Sequence, residues 1–199
     1  MTNNDDSAII TSPTGSSFTV LAREGSDAAG TAGADFASLG DPVSAPGDRY
    51  AFLASLKGTG VNGSNKAGLW FSVSGTVNLV ARTGETAPDA SGFETGAKFA
   101  SFNNFALPTS GPLFLAKVKG EGVNGGNNFG LWGVDSGGNV RQLLRNGDTL
   151  GDYTVRKFTL LNPVSGALNA SRSFSNSGGI AALVSFKDRT QALVYVGVP

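Results

Sequence analysis

The 199-residue chain contains no cysteine and no histidine. It therefore forms no disulfide, no Cys/His zinc site, no Ser-His-Asp or Cys-His catalytic group and no histidine pH switch. Charged residues are also scarce, at 15% of the chain, and the 15 basic and 15 acidic residues give a net charge of zero. This balance argues against the basic surface of a nucleic-acid-binding protein and against a polybasic membrane contact. The sequence predicts no nucleic-acid partner, no cofactor and no enzymatic activity.

Long apolar runs are missing too, and none approaches the length that spans a bilayer, so we predict no membrane insertion. Residues 1–17 are polar and lack the basic and apolar regions of a secretory signal. We expect residues 1–17 to be a flexible lead-in and residues 18–199 to form the domain. The loops are rich in small polar residues and poor in charge, which favours an exported bacterial protein, extracellular or periplasmic.

The chain is rich in repeated sequence. Gly68-Leu69-Trp70 recurs as Gly130-Leu131-Trp132, and Val61-Asn62-Gly63 recurs as Val123-Asn124-Gly125, both 62 residues apart. The same step again reaches Ala192-Leu193-Val194. Fixed spacing of this kind is the signature of a repeat architecture. It predicts three repeats, at about 18–76, 77–139 and 140–199.

Two further markers recur in the same order along the chain. The first is Leu21–Gly25, then Val80–Gly84 and Leu144–Gly147. The second is Phe36–Leu39, then Phe99–Phe102 and Phe158–Leu161.

Each repeat has the pattern of β-strands. Residues of Tyr50–Lys57 alternate between two faces, and Gly68–Val73 and Val77–Arg82 flank a tight turn, which predicts a hairpin. A short strand near Asp41–Ser44 precedes them, so a repeat has four strands, here called a, b, c and d. We predict an all-β chain whose buried residues include Phe52, Leu56, Leu69, Val77, Leu79, Phe114, Val118, Leu131 and Leu183.

Four antiparallel strands repeated along a chain are typical of β-propeller blades. The chain opens with a d-type strand, Phe18–Arg23, and closes with a c-type strand, Ala192–Val196. Three blades are fewer than the roughly four to eight that close a ring. We therefore predict a homodimer in which two chains form a six-bladed propeller and exchange the d strand at each seam. The alternative is that the chain is part of a longer propeller.

The segment Leu79–Pro88, LVARTGETAP, resembles bacterial exported tandem-repeat proteins. In them an L-V-A-R-x-G-x-x-A-P-G motif alternates with N-x-x-G-x-V-A-F and G-L-W. Arg23 and Arg145 lie in copies without Ala-Pro, and Pro46–Phe52 matches the second motif loosely. The resemblance implies a propeller-like fold, export and unknown activity, and it implies no catalytic residue.

Polar residues near strand a are the first candidate ligand site. Asp41, Asn104 and Asn162 follow the phenylalanine marker, and strand a lines the channel of a propeller. In a six-bladed dimer, six such groups would converge and their oxygens could hold a cation. The alternative is that these side chains cap turns beside Pro42 and Pro163.

The asparagines of two similar loops are the second candidate ligand site. GVNGSNK contains Asn62 and Asn65, and GVNGGNN contains Asn124 and Asn127. Their amides could bind the hydroxyl groups of a glycan or another surface partner. Equally, Asn and Gly favour irregular turns, and these loops lack the acids of a calcium loop. No metal site is predicted.

Other recurring residues favour structural roles. We expect Arg23, Arg82 and Arg145 to bind loop carbonyls or a nearby carboxylate, and Trp70 and Trp132 to pack in the core.

Three functions remain open at this point. The first is a non-catalytic binding or assembly module, and the second is a structural building block that forms rings or filaments by strand exchange. The third is a carbohydrate-active hydrolase that uses Asp and Glu, for which Asp135, Asp148 and Asp152 are the nearest acids to consider.

Overall fold

The computed structural model describes residues 6–12, 15, 17–88, 96–161, 174–175 and 177–198. All helix-or-strand structure in these residues is β-strand, so the all-β prediction is confirmed. The chain divides into two compact units. The first is Met1–Glu85 with Phe99–Phe102, and the second is Thr86–Lys98 with Asn103–Pro199.

The first unit opens with an antiparallel hairpin, here called the N-terminal hairpin. Its strands are β1 (Ala8–Thr11) and β2 (Thr19–Arg23). β1 lies inside the segment expected to be a flexible lead-in, so that expectation needs correction within residues 8–11. The signal was weak because a four-residue strand is too short for an alternating pattern to stand out. β2 is the predicted d-type strand, and its partner is β1.

Sheet 1 also lies in the first unit, which further includes Phe99–Phe102 of the next sheet. Its main strand order is β3-β5-β6-β7, and β4 also pairs with β5. The strands are β3 (Asp35–Leu39), β4 (Val43–Ala45), β5 (Arg49–Lys57), β6 (Ala67–Val73) and β7 (Thr76–Arg82). Ser74 and Gly75 join β6 to β7 with φ angles of 49° and 82°. Two positive φ angles suit a two-residue turn between twisted strands.

Sheet 1 therefore has five strands, whereas sheets 2 and 3 have four antiparallel strands each. Sheet 2 has the order β8-β9-β10-β11, and sheet 3 has the order β12-β13-β14-β15. The strands of sheet 2 are β8 (Lys98–Ala106), β9 (Leu113–Lys119), β10 (Phe129–Val134) and β11 (Val140–Arg145). Those of sheet 3 are β12 (Thr149–Leu150), β13 (Tyr153–Leu160), β14 (Ile180–Phe186) and β15 (Gln191–Val196).

The strand register relates the three sheets residue by residue. β6, β10 and β15 each pair with the preceding long strand, and three pairs occupy the same place: Ala54 with Gly68, Ala116 with Gly130, and Val184 with Ala192. Ala192 is therefore the equivalent of Gly68 and Gly130, and β15 is a c-type strand. This is the position that the 62-residue step reaches in the sequence.

The N-terminal hairpin fits the same register. Three pairs correspond: Ala8 with Arg23, Gly68 with Arg82, and Gly130 with Arg145. In each hairpin a bulge follows the next residue along, after Ile9, Leu69 and Leu131. β1 is therefore the counterpart of β6 and β10, so the d-type strand β2 already has a c-type partner.

The second sequence marker is shifted in the third sheet. Gly25 and Gly84 donate backbone hydrogen bonds to the carbonyls of Phe36 and Phe99, and Gly147 donates to Val155. A bulge follows Phe36 in β3 and follows Val155 in β13. Val155 is thus the equivalent of Phe36, and Phe158 lies three residues beyond it. Aligning aromatic residues misplaced this copy because pairing depends on position rather than on side-chain identity.

The predicted core is largely correct. Six of the nine residues are buried and three are half-buried, namely Val77, Leu79 and Leu183. Trp70 and Trp132 are fully buried and stack on Phe52 and Phe114, with ring centroids 6.0 and 6.2 Å apart. Their indole nitrogens donate to the carbonyls of Ala29 and Pro88. The expected core role of both tryptophans is confirmed.

Candidate functional site

The two asparagine-rich loops have the same internal hydrogen bonds. Asn65 Oδ1 accepts from the backbone of Asn62 at 2.7 Å, and its Nδ2 donates to Gly60 at 2.9 Å. Asn127 does the same with Asn124 and Gly122, at 2.7 and 3.0 Å. These bonds hold the backbone of each loop. The geometry therefore favours the turn-forming role over direct ligand binding for the amides of Asn65 and Asn127.

The other two loop candidates also act locally. Asn62 Oδ1 accepts from the backbone and hydroxyl of Ser64, and Asn124 Oδ1 accepts from the backbone of Gly126 at 2.8 Å. Asn124 and Asn127 nevertheless line a cleft in the second unit.

The structure describes two of the three channel candidates, Asp41 and Asn104. Asp41 is exposed in the first unit, between β3 and β4. Asn104 is exposed on β8, and its Oδ1 accepts from the backbone of Phe105 at 2.8 Å. Asn162 lies outside the described residues. The register makes Leu160 the counterpart of Asp41, because Val155 is the counterpart of Phe36.

Two of the recurring arginines bind close to their own hairpins. Arg82 Nε donates to the carbonyl of Asn65 at 2.7 Å. Arg145 is buried, and its Nε lies 3.9 Å from Asp148 Oδ1. One thus contacts a loop carbonyl and the other a carboxylate, the two alternatives that the sequence suggested.

The cleft in the second unit gathers seven polar side chains around an open space. Its volume is about 680 Å³. The polar side chains that line it are Asn124, Asn127, Gln142, Arg145, Asp148, Thr149 and Lys187. We call this space the polar cleft. Sequence reasoning missed Gln142 and Thr149, which no recurring motif marks. It also missed Lys187, which has counterparts in Lys57 and Lys119 but was not selected as a site residue.

Asp148 is the chemical centre of the polar cleft. Its carboxylate accepts from the backbone of Arg145 at 2.7 Å and from Gln142 Nε2 at 3.3 Å. Burial raises the pKa of Asp148, and the hydrogen bonds and charge of Arg145 and Gln142 oppose that rise. Burial likewise lowers the pKa of Arg145, against the attraction of Asp148.

Two acceptor atoms close to Asp148 in sequence remain buried without a partner among the described residues. They are Gln142 Oε1 and Asn146 Oδ1. Both oxygens are enclosed by protein, so their unmet hydrogen bonds are a cost to the fold. Gln142 lines the polar cleft, and its Nε2 is held by Asp148.

The remaining acids form no metal cage in the part of the chain that the structure describes, where no group of three or more acidic residues comes together. Asp135 instead caps its own turn, accepting from the backbones of Gly137 and Asn139 and from Arg141 Nε at 3.0 Å. Asp135 is thus occupied by turn formation.

A family model described as a family of unknown function, DUF7453, matches residues 1–198. The chain belongs to the DUF7453 family. No curated protein and no solved structure matches this DUF7453 chain. Over the described ranges of the DUF7453 chain, no helix has the length and apolar character needed to cross a membrane.

Proposed function

We propose that the chain is a non-catalytic binding and assembly module of a bacterial exported protein, built from propeller-type blades. The observation that carries the proposal is the common register of sheets 1, 2 and 3, which extends to the bulges. Repetition of one four-stranded antiparallel unit is the construction principle of propellers. Composition and the resemblance to exported repeat proteins support the location.

The non-catalytic role is supported by how the polar groups are used. The amides of Asn65 and Asn127 close their own loops, and Asp135 caps its own turn. Among the described residues that line the polar cleft, Asp148 is the single acid. Glycoside hydrolases generally need two carboxylates on either side of the scissile bond.

For assembly, we propose that two chains associate head to tail. Two copies supply six sheets of four or five strands, the number proposed for the ring, and each seam adds one N-terminal hairpin. Because β2 pairs with β1, we propose that the seam is formed by sheet faces rather than by donation of β2. A head-to-tail contact can close into a ring or extend into a filament.

Light scattering coupled to size exclusion tests the assembly. We expect a mass of about twice the 20.2 kDa chain for a ring, or a larger concentration-dependent mass for a filament. A chain that stays at its monomer mass at every concentration refutes the assembly proposal.

The polar cleft supports the binding half of the proposal, with a neutral glycan as ligand. Calorimetric titration with neutral oligosaccharides should give a saturable heat of binding. Gln142→Leu should reduce this heat, and Asn78→Leu, at an exposed position of β7, should leave it unchanged. Equal heats for both variants would exclude this site. If the chain releases reducing sugar from the oligosaccharide, and Asp148→Asn abolishes that release, the function of the cleft is hydrolysis rather than binding alone.

A further inference from the structure

Each sheet has two faces that can be named by residues at equivalent positions. The leucine face carries Leu69 in sheet 1, Leu131 in sheet 2 and Leu193 in sheet 3. The tryptophan face carries their neighbours Trp70, Trp132 and Val194. In the N-terminal hairpin, the register assigns Ile9 to the leucine face and Ile10 to the tryptophan face.

The first unit packs a leucine face on a tryptophan face. One core cluster joins Ile9 and Ala22 of the hairpin to Phe52 and Trp70 of sheet 1. Ile9 and Ala22 are opposite each other on the hairpin, as Phe52 and Trp70 are on sheet 1.

The second unit repeats this arrangement with different sheets. Its core cluster joins Leu131 and Leu144, from the leucine face of sheet 2, to Ala182 and Val184 of sheet 3. Ala182 pairs with Val194, as Phe52 pairs with Trp70, which places it on the tryptophan face. The same kind of junction therefore occurs once inside each unit.

Sheet 3 differs from the other sheets because its leucine face is exposed. Leu193 is 72% exposed, whereas its equivalents Leu69, Leu131 and Ile9 are 0%, 1% and 7% exposed. Tyr195, two residues along β15 on the same face, is also 72% exposed. Leu183 pairs with Leu193 across the strands and is half-buried, so apolar side chains lie side by side on an open face.

The tryptophan face of the N-terminal hairpin is open as well. Ile10, Phe18 and Val20 are 54%, 76% and 57% exposed. Val77 and Leu79 of sheet 1 occupy the positions of Phe18 and Val20, and they pack against the core of the first unit. The hairpin thus presents the kind of face that the internal junctions cover.

We propose that the leucine face of sheet 3 in one chain packs on the tryptophan face of the N-terminal hairpin in a second copy of this chain. The proposal rests on the assembly part of the proposed function and names the surfaces that carry it. Each chain offers one face of each kind, so the contact is heterologous and its two surfaces differ. Large aliphatic and aromatic side chains of this kind anchor protein interfaces.

Single-face variants test the proposal in solution. Leu193→Asp should weaken self-association by about 30-fold or more, which is the loss expected when an anchoring side chain is removed. Val20→Asp should do the same from the other side of the contact. Asn78→Asp adds the same charge at an exposed position of β7 and should leave the mass unchanged.

Mixing the two variants separates head-to-tail contact from other contacts. Leu193→Asp keeps an intact hairpin face, and Val20→Asp keeps an intact sheet 3 face. Together they should form a mixed dimer through one remaining junction, although each alone is monomeric. A contact between two identical faces would not be restored by mixing, and that result would overturn the proposal.

Controls keep the outcomes distinct. Circular dichroism should show unchanged strand content for each variant, and Leu193→Thr replaces Leu193→Asp if the aspartate prevents folding. A wild-type dimer that Leu193→Asp and Leu193→Thr leave intact would overturn this interface while leaving the proposed assembly in place. A monomeric wild-type chain would overturn both.

Discussion

At the scale of single residues, each buried tryptophan ring lies so close to the residue two positions before it that this residue has to be glycine. A Cβ atom built on Gly68 would lie 2.6 Å from the Trp70 ring, and one on Gly130 would lie 2.7 Å from the Trp132 ring. Real Cβ atoms do not approach a ring so closely. Where the chain has an aliphatic residue instead of tryptophan, alanine replaces the glycine: Ala8 before Ile10, and Ala192 before Val194.

This coupling predicts a conditional effect. Gly68→Ala should lower the free energy of unfolding by about 1–3 kcal/mol, the usual cost of overpacking a core. In a Trp70→Val background the same change should cost less, because the ring is gone and the Ala81 carbonyl oxygen, 3.2 Å from the Cβ position, is the close neighbour that remains. Chemical denaturation of the four proteins in this cycle measures the coupling.

Gly63→Ala is the matched control, since nothing lies within 4 Å of its Cβ position. An equal cost for Gly68→Ala in both backgrounds would show that the indole ring is not the cause.

The pH dependence of stability depends on individual carboxyl groups. Burial raises the pKa of Asp148, so the folded protein binds that proton more tightly than the unfolded chain does. Its contribution to stability is full below the unfolded pKa of about 3.9 and is lost as the pH rises through the folded value. Asp148→Asn should therefore gain stability relative to wild type as the pH rises across this window, in denaturation series.

Asp135 gives the opposite sign and serves as the control. Hydrogen bonds from the backbone of Asn139 and from Arg141 lower its pKa, so it stabilises the fold above the unfolded pKa. Asp135→Asn should lose stability relative to wild type as the pH rises from the lowered folded pKa to the unfolded pKa of about 3.9, a window that lies below the one for Asp148. Parallel profiles for the two variants would contradict both assignments.

At the scale of elements, the asparagine loops are held by side-chain bonds that recur. Asn127→Ala removes both the acceptor for Asn124 and the donor to Gly122. We expect a loss of about 1–3 kcal/mol in the free energy of unfolding, since each hydrogen bond contributes roughly 0.5–1.5 kcal/mol. Thermal denaturation of each variant measures this loss. Asn78→Ala, at an exposed position of β7, is the control and should change the free energy of unfolding by only a few tenths of a kcal/mol.

The sequence predicts most strands because alternation and tight turns are local signals. Tyr50–Lys57 and Ala192–Val196 were placed within one residue of β5 and β15. Strand a was placed near Asp41–Ser44, whereas the structure also has β3 at Asp35–Leu39, the phenylalanine marker itself. β1 is too short, at four residues, for an alternating pattern to mark it in the sequence.

The candidate site was less predictable. Asn124 and Asn127 are predicted from the loop motif, and they do line the polar cleft. Arg145, expected to be structural, and Asp148, considered only as an acid, line it as well. Gln142 belongs with them because β11 brings it to Asp148, a contact between side chains that no spacing rule identifies.

At the scale of the whole molecule, the open faces are apolar, and their chemistry predicts how association responds to solution conditions. We expect the dissociation constant of the wild-type assembly to stay within a factor of about 3 between roughly 0.05 and 0.5 M NaCl, because salt screens charges rather than apolar contacts. Cooling should weaken the assembly, since hydrophobic association weakens at low temperature.

Analytical ultracentrifugation at several salt concentrations and temperatures measures both effects. A steep loss of association with salt would indicate that charged groups, and not Leu193 and its neighbours, hold the chains together.

Exposure could not be read from the sequence. Leu69, Leu131 and Leu193 are the same residue at the same register position, and the change of neighbours from glycine and tryptophan to alanine and valine does not reveal which leucine is exposed. Leu193 differs only in what lies over it, which is a property of the complete arrangement.

The shared face chemistry has a consequence for how such a chain can change in length. Every junction inside a unit joins a leucine face to a tryptophan face. Duplicating one segment of about 62 residues, the spacing between Gly68 and Gly130, would insert a sheet that brings one face of each kind. The two outer surfaces would keep their chemistry, so tandem duplication or deletion could alter copy number without a new interface having to evolve.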